Sequence, residues 1–280
     1  ILLPTRGGLN SVYAARLVAA VFPEAEVTVF TVDVPQGRGL SRIFRRSTNA
    51  TDPSDVVEAL GDTPSRVVNK TNSDPAAAIL AESRLGYDLL VVGASREEER
   101  ISLLANVVEQ VLRETGIQTL VAQFPNEGSV PTDLPGRVMV PVTATRSSRA
   151  AEEFGYSVAR VAGGEAVALH VVNRPDGEGL FMPDEGVESA IDAARDLLRG
   201  SAEFGERLGV DLTTEVEVGP NAEQEILDYA HAAGMELVVL GASSRPGTNR
   251  PFFGHRISYM VERSDIPIVI VALPSPRGTV

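Results

Sequence analysis

The chain repeats itself, and no other feature limits its fold so tightly. I-L-L-P-T-R-G-G from Ile1 is echoed by V-M-V-P-V-T-A-T from Val138. Y-D-L-L-V-V-G-A-S from Tyr87 returns as M-E-L-V-V-L-G-A-S from Met235, and I-Q-T-L-V-A-Q-F-P from Ile117 returns as I-P-I-V-I-V-A-L-P from Ile266. The order is conserved at offsets of 137, 148 and 149 residues, so the halves read as two copies of one unit, the second carrying about eleven more residues in its middle. Between them N-E-G-S-V-P-T-D-L-P-G is rich in Gly, Pro and polar residues and reads as a linker. The division expected is a first domain over residues 1–125, a linker over 126–136 and a second domain over 137–275.

Within each half, short apolar runs alternate with longer segments of helical period. The runs are Ile1–Leu3, Val27–Val32, Arg66–Val68, Leu89–Val92 and Thr119–Ala122, then Val138–Val142, Ala166–Val172, Leu212–Val218, Leu237–Leu240 and Ile268–Ala272. Runs without polar alternation are what strands covered on both faces look like, and they predict a parallel sheet flanked by helices. Helices are predicted over Asn10–Val21 with Asn10 or Ser11 as N-cap, Asp74–Leu85 and Ala105–Glu114. In the second half they are predicted over Ser147–Val161, Val187–Leu208, Ala222–Ala233 and Gly254–Arg263. Asp74-Pro75 and Gly219-Pro220-Asn221 are cap-and-proline helix starts. The fold class that follows is α/β, with two Rossmann-like, doubly wound, five-stranded parallel-sheet domains in tandem. In such sheets ligands sit off the carboxyl ends of the strands, where the strand order reverses.

Composition narrows the function classes. A formal net charge of −13 argues against general nucleic-acid binding, which depends on Lys and Arg neutralising phosphates. Lys70 is the only lysine. The absence of cysteine excludes disulfides, thiol nucleophiles and thiolate metal sites. The longest apolar runs, such as Ile268–Leu273, fall far short of the roughly 18 residues of a membrane helix. No secretory leader is read from the sequence, and a soluble, cytoplasmic chain is expected. The sequence begins at Ile1, inside an apolar run, so it is expected either to lack a few residues or to be a fragment of a longer protein.

If the order reverses between the first and fourth strands, two loops face one crevice in each half: Thr5–Asn10 with Gly93–Ala105, and Thr143–Ser148 with Gly241–Gly254. Here the chain resembles the universal stress protein family in its tandem form, over nearly its whole length. Nucleotide-binding members of that family carry G-x2-G-x9-G-[ST] after the fourth strand. The second half reads Gly241-x2-Ser244-x9-Gly254-His255, with the spacing intact, Ser244 in place of the middle glycine and His255 in place of the hydroxyl residue. The first half reads Gly93-x2-Arg96 and then Ala105-Asn106 one residue early, with Glu97, Glu98 and Glu99 in the loop. Where such members place an aspartate after the first strand, this chain has Arg6 and Thr143.

The resemblance implies an ATP, AMP or anion site in the second half, held weakly. It comprises Pro141, Val142, Thr143, Gly241, Ser243, Ser244, Arg245, Gly254, His255 and Arg256, with Arg250 a further donor. A phosphate loop needs inward N–H groups and close main-chain approach, which glycine permits, and Gly254 can add a helix N-terminus. His255 would gain charge as pH falls through about 6.5. The first-half equivalents are Thr5, Arg6, Gly7, Gly8, Gly93, Ser95, Arg96 and Asn106, where the three glutamates would repel phosphate. The family's pairing through last strands would be met here between the two repeats of one chain, or in a homodimer.

Other signals lead elsewhere. T-R-G-G-L-N-S (5–11) resembles the S-G-G-x-D-S loop of ATP pyrophosphatases, with Arg6 for the first serine and Asn10 for the aspartate; the competing reading is a tight turn and helix cap. His170 reads as a packed histidine and His231 as an exposed one; three histidines at no shared short spacing make no metal site. Asp184-Glu185 and Asp192/Asp196 read as solvated acid faces, and no nucleophile stands beside a base. Arg38, Arg42, Arg45 and Arg46 form a basic cluster, read as an exposed loop or as a contact to a membrane surface or partner domain. The expectation is a non-catalytic sensor or regulatory module with at most one competent site, in the second half. The alternatives are the cytoplasmic regulatory domain of a membrane amino-acid permease or antiporter, with that transporter as partner in cis, and an ATP pyrophosphatase-type enzyme.

Overall fold

A computed structural model describes residues 1–35, 53–94, 106–125, 130–174, 184–243 and 254–274. Among these the chain divides into two compact units. The first carries β1 (Leu2–Pro4), α1 (Leu9–Val21), β2 (Val27–Asp33), α2 (Pro53–Leu60), β3 (Ser65–Thr71), α3 (Pro75–Ser83), β4 (Leu89–Gly93), α4 (Asn106–Glu114) and β5 (Gln118–Gln123). Its strand order is β3-β2-β1-β4-β5, with parallel pairing throughout. The second carries β6 (Arg137–Pro141), α5 (Arg146–Ala162), β7 (Glu165–Asn173), α6 (Asp184–Leu208), β8 (Asp211–Gly219), α7 (Ala222–Ala232), β9 (Leu237–Ser243), α8 (Gly254–Arg263) and β10 (Ile268–Leu273). Its order is β8-β7-β6-β9-β10, and β6 pairs in parallel with both β7 and β9. Most of the additional residues of the second half fall between β7 and β8, where α6 runs for 25 residues.

All ten apolar runs are strands, and the central ones form the core. Leu2, Leu3, Val29, Phe30 and Leu90 in the first unit, and Val138, Met139, Val140, Leu169 and Leu237 in the second, are fully buried. Burial on both faces explains why these runs carry no polar alternation. β3 departs from that reading. It is an edge strand exposed at every residue except the half-buried Val68, so its apolar centre reflects β-propensity rather than two-sided burial.

The predicted helix starts at Asp74 and Asn221 are caps in the structure. The Asp74 carboxylate accepts from the Ala77 N–H at 3.0 Å, and Asn221 Oδ1 accepts from the N–H groups of Glu223 and Gln224 at 3.1 and 3.2 Å. The predicted cap of α1 is corrected: the N-cap is Gly8, with no side-chain cap, and Asn10 lies inside the helix. Asn10 is buried there because its Oδ1 accepts from the main-chain N–H of Phe124, which ties α1 to the end of β5. α2 has no counterpart in the sequence reading. Only Val56 and Leu60 of its eight residues are buried, too few to make a clear helical stripe. The arginine cluster at 38, 42, 45 and 46 lies outside the described residues. No helix among the described residues is long and apolar enough to cross a membrane.

Candidate functional site

Reversal of strand order is the geometric origin of the site. β1 lies between β2 and β4, and β6 lies between β7 and β9. The loop leaving the first strand of each unit therefore sits beside the end of the fourth, as the repeat pattern predicts.

Close approach sharpens this juxtaposition. A Cβ built on Gly241 of β9 would lie 2.3 Å from the Ser147 carbonyl oxygen and 2.6 Å from the Ser148 nitrogen. In the first unit a Cβ on Gly93 of β4 would lie 2.6 Å from the Ser11 nitrogen. Each glycine is where the fourth strand passes under the first turn of the helix that follows the first strand. The first glycine of the phosphate-loop pattern thus has a packing role in both units, independent of any ligand.

The two first-strand loops are closed by different chemistry. In the first unit Gly7 and Gly8 adopt φ of 84° and 111°, open to glycine and strained for other residues. Thr5 is buried and its Oγ1 accepts from the Gly7 N–H at 2.9 Å, leaving Arg6 exposed at the turn. In the second unit the corresponding loop has no residue of positive φ and is held by hydroxyls. Thr145 is the N-cap of α5 and accepts from the Ser148 N–H at 3.2 Å. The Thr143 N–H donates to Ser148 Oγ at 2.8 Å. Thr143 Oγ1 and Thr145 Oγ1 are 3.1 Å apart, and Thr145 Oγ1 and Ser147 Oγ are 3.2 Å apart. Ser147 and Ser148 are buried, whereas Thr143, Ala144, Thr145 and Arg146 are exposed. The loop therefore shows solvent two threonine hydroxyls and an arginine, and no carboxylate.

The other predicted residues fall as follows. Pro141 ends β6, and the buried Val142 follows, its N–H donating to the Leu169 oxygen at 2.7 Å. Ser243 is the last residue of β9. Gly254 and His255 open α8, and the exposed Arg256 pairs with the half-buried Glu223 of α7 at 2.9 Å. Asn106 opens α4. Ser95, Arg96, Ser244, Arg245 and Arg250 lie outside the described residues, as do Glu97–Glu99.

His170, on β7, is half-buried, and its Nδ1 lies 2.8 Å from the Val142 carbonyl oxygen. A carbonyl only accepts, so Nδ1 carries the proton. His231 is exposed and pairs with Asp265 at 2.8 Å. Asp192 and Asp196 pair with Arg195 and Arg199 on the exposed face of α6. Among the described residues no group of three or more His, Cys, Asp or Glu is placed to hold a metal ion. The sequence alone does not single out Thr145, Ser147 and Ser148 within the Thr143–Ser148 loop. Their signal is T-x-T-x-S-S running into a helix, a cluster of capping residues longer than one cap needs.

Comparison with known proteins agrees with this architecture. A family model described as the universal stress protein family matches residues 135–272. A universal stress protein of Methanocaldococcus jannaschii is 24% identical over 143 residues, covering 49% of this chain and 82% of the relative. Among solved structures, a universal stress protein from Archaeoglobus fulgidus aligns over 98% of this chain and 96% of its own, with a TM-score of 0.64 at 18% identity. A functionally unknown protein of Pseudomonas aeruginosa aligns over 97% of this chain and 92% of its own, with a TM-score of 0.58 at 13% identity. At these identities the structural likenesses show the fold. The family match makes residues 135–272 similar to the universal stress protein family, and the solved structures share the fold.

Proposed function

We propose that the protein is a non-catalytic sensor or regulatory module that binds an adenine nucleotide, ATP or AMP, in its second unit. The ligand would lie off the carboxyl ends of β6 and β9, with its phosphates toward the start of α8. The observation that carries this reading is the reversal of strand order between β6 and β9, which sets a carboxylate-free, hydroxyl-bearing loop beside the end of β9. The motif spacing from Gly241 to Gly254 supports it, because Gly254 opens α8 and a helix N-terminus there would offer the positive end of a helix dipole to a phosphate. The first unit offers less: its sequence places three glutamates in the matching loop.

A binding role without catalysis is favoured by how the loop's polar groups are used. The Thr143 and Thr145 hydroxyls meet each other, Thr145 Oγ1 also meets Ser147 Oγ and accepts from the Ser148 N–H, Ser148 Oγ accepts from the Thr143 N–H, and His170 Nδ1 faces a carbonyl. None of these contacts sets a base against a nucleophile, as acyl or phosphoryl transfer would require.

The test is calorimetric titration with ATP, ADP and AMP, with Gly254→Glu as control and circular dichroism to verify its fold. The reading predicts one site per chain, lost in the folded variant. Absence of heat at concentrations that detect a Kd of about 0.1 mM, roughly 5.5 kcal/mol of binding free energy, would remove it.

A further inference from the structure

The seam between α5 and α6 contains a carboxylate that neither the fold nor the nucleotide site accounts for. Glu152 is 3% exposed, on the buried face of α5, one turn beyond Ser148. Its Oε2 accepts from Ser201 Oγ of α6 at 2.7 Å and from Arg149 at 2.9 Å. Arg149 reaches it from the solvent side and also lies over the Phe204 ring of α6, 4.4 Å from its centroid. Arg207 faces the same ring at 5.6 Å. Tyr156, the next turn of α5, is fully buried, and its hydroxyl lies near Ser201 without a hydrogen bond of good geometry. Beneath the helix, Val140 of β6 and Val239 of β9 close on Gly155. From β7 the titratable His170 is committed to the Val142 oxygen.

We propose that this seam is a proton-operated switch, in which Glu152 takes up a proton in the folded protein as the solution acidifies and releases the Arg149 clamp. The physical basis is a mismatch. One half-exposed arginine and one hydroxyl compensate only part of the cost of holding a carboxylate inside the protein. Burial pushes the Glu152 carboxyl above its ordinary value, and Ser201 and Arg149 draw it back only partly. The same burial, with Glu152 adding to it, holds the Tyr156 phenol neutral.

The sign follows from linkage. A carboxyl raised on folding stabilises the native state fully below its unfolded value, and that contribution is lost as pH rises through the folded value. Acidification from neutrality toward 4.5 therefore stabilises the native state even as the Arg149 clamp is released, the opposite of what an ordinary salt bridge would do. On protonation Arg149 loses its partner but keeps access to solvent, so the change is inexpensive on that side. Because Glu152 and Ser148 share one face of α5, the proton acts on the helix whose first turn closes the β6–α5 loop.

The experiment is a carboxyl-resolved NMR titration of the full chain with ¹³C-labelled glutamate, alongside denaturant unfolding of the wild type and Glu152→Gln at pH 7 and pH 5. The switch predicts that Glu152 titrates with a midpoint above 4.5, and that Ser201→Ala moves it further up by removing a donor to the ionised form. It also predicts that the wild type gains stability relative to Glu152→Gln between pH 7 and pH 5. A Glu152 midpoint in the ordinary glutamate range, or the same pH dependence in both proteins, overturns the proposal. If Glu152→Gln does not fold, the wild-type and Ser201→Ala titrations decide.

Discussion

Replacing Gly241 by alanine isolates the packing role of the phosphate-loop glycine. The added methyl would meet the Ser147 carbonyl oxygen at 2.3 Å, against ordinary contact beginning near 3.4 Å, so main chain must yield by about 1 Å. Neither side yields easily, because Gly241 is in a buried central strand and Ser147–Ser148 form the first turn of α5, pinned by the Thr145 cap. Overpacking a core typically costs about 1–3 kcal/mol, and backbone on both sides of this contact puts the expected loss at about 3 kcal/mol. Gly200→Ala is the matched control: it lies within α6, with nothing within 4 Å of the added methyl. Alanine's smaller conformational freedom in the unfolded chain predicts a gain there of roughly 0.5–1 kcal/mol. The assay is urea unfolding of both variants against the wild type, with m-values compared to verify equal surface exposure. If Gly241→Ala unfolds within about 1 kcal/mol of the wild type, the close approach of β9 to α5 is wrong, and with it the shape assigned to the crevice.

Two further outcomes follow from single contacts. Asn10→Ala leaves the buried Phe124 N–H without its acceptor and should cost about 1–3 kcal/mol by the same assay. Asn221→Ala removes the cap that serves two N–H groups of α7 and should lower stability by about 1 kcal/mol, with faster amide exchange confined to the first turn of that helix.

How far the sequence could be read depended on which physical signal each element carried. Strands were legible because their runs are apolar on consecutive residues, as at Val138–Val140 and Leu237–Leu240, and two-sided burial leaves no other choice. The caps at Asp74 and Asn221 were legible because a capping side chain acts within three residues of its own position. The α1 cap was not, because Asn10 is polar for a long-range reason, the N–H of Phe124, which local sequence does not display. α2 escaped because two buried residues in eight give no stripe. The crevice could be inferred once the repeat placed the first and fourth strands together, but the role of Gly241 could not. A glycine admits close approach equally well for phosphate and for a neighbouring main chain, and only the geometry shows Ser147 and Ser148 there. The capping hydroxyls of Thr145, Ser147 and Ser148 were hidden for a related reason, since each is an ordinary helix-start residue until their mutual contacts are known.

The central claim is that one nucleotide binds in the second unit and none in the first. Amide NMR of the full chain during titration with AMP and with ATP tests it most directly. The account predicts saturable shifts at Thr143, Thr145, Ser147 and Ser148 and at the start of α8 from Gly254, with Thr5–Ser11 unmoved. Shifts centred on Thr5–Ser11, or none at Thr143–Ser148 at saturating nucleotide, would contradict it.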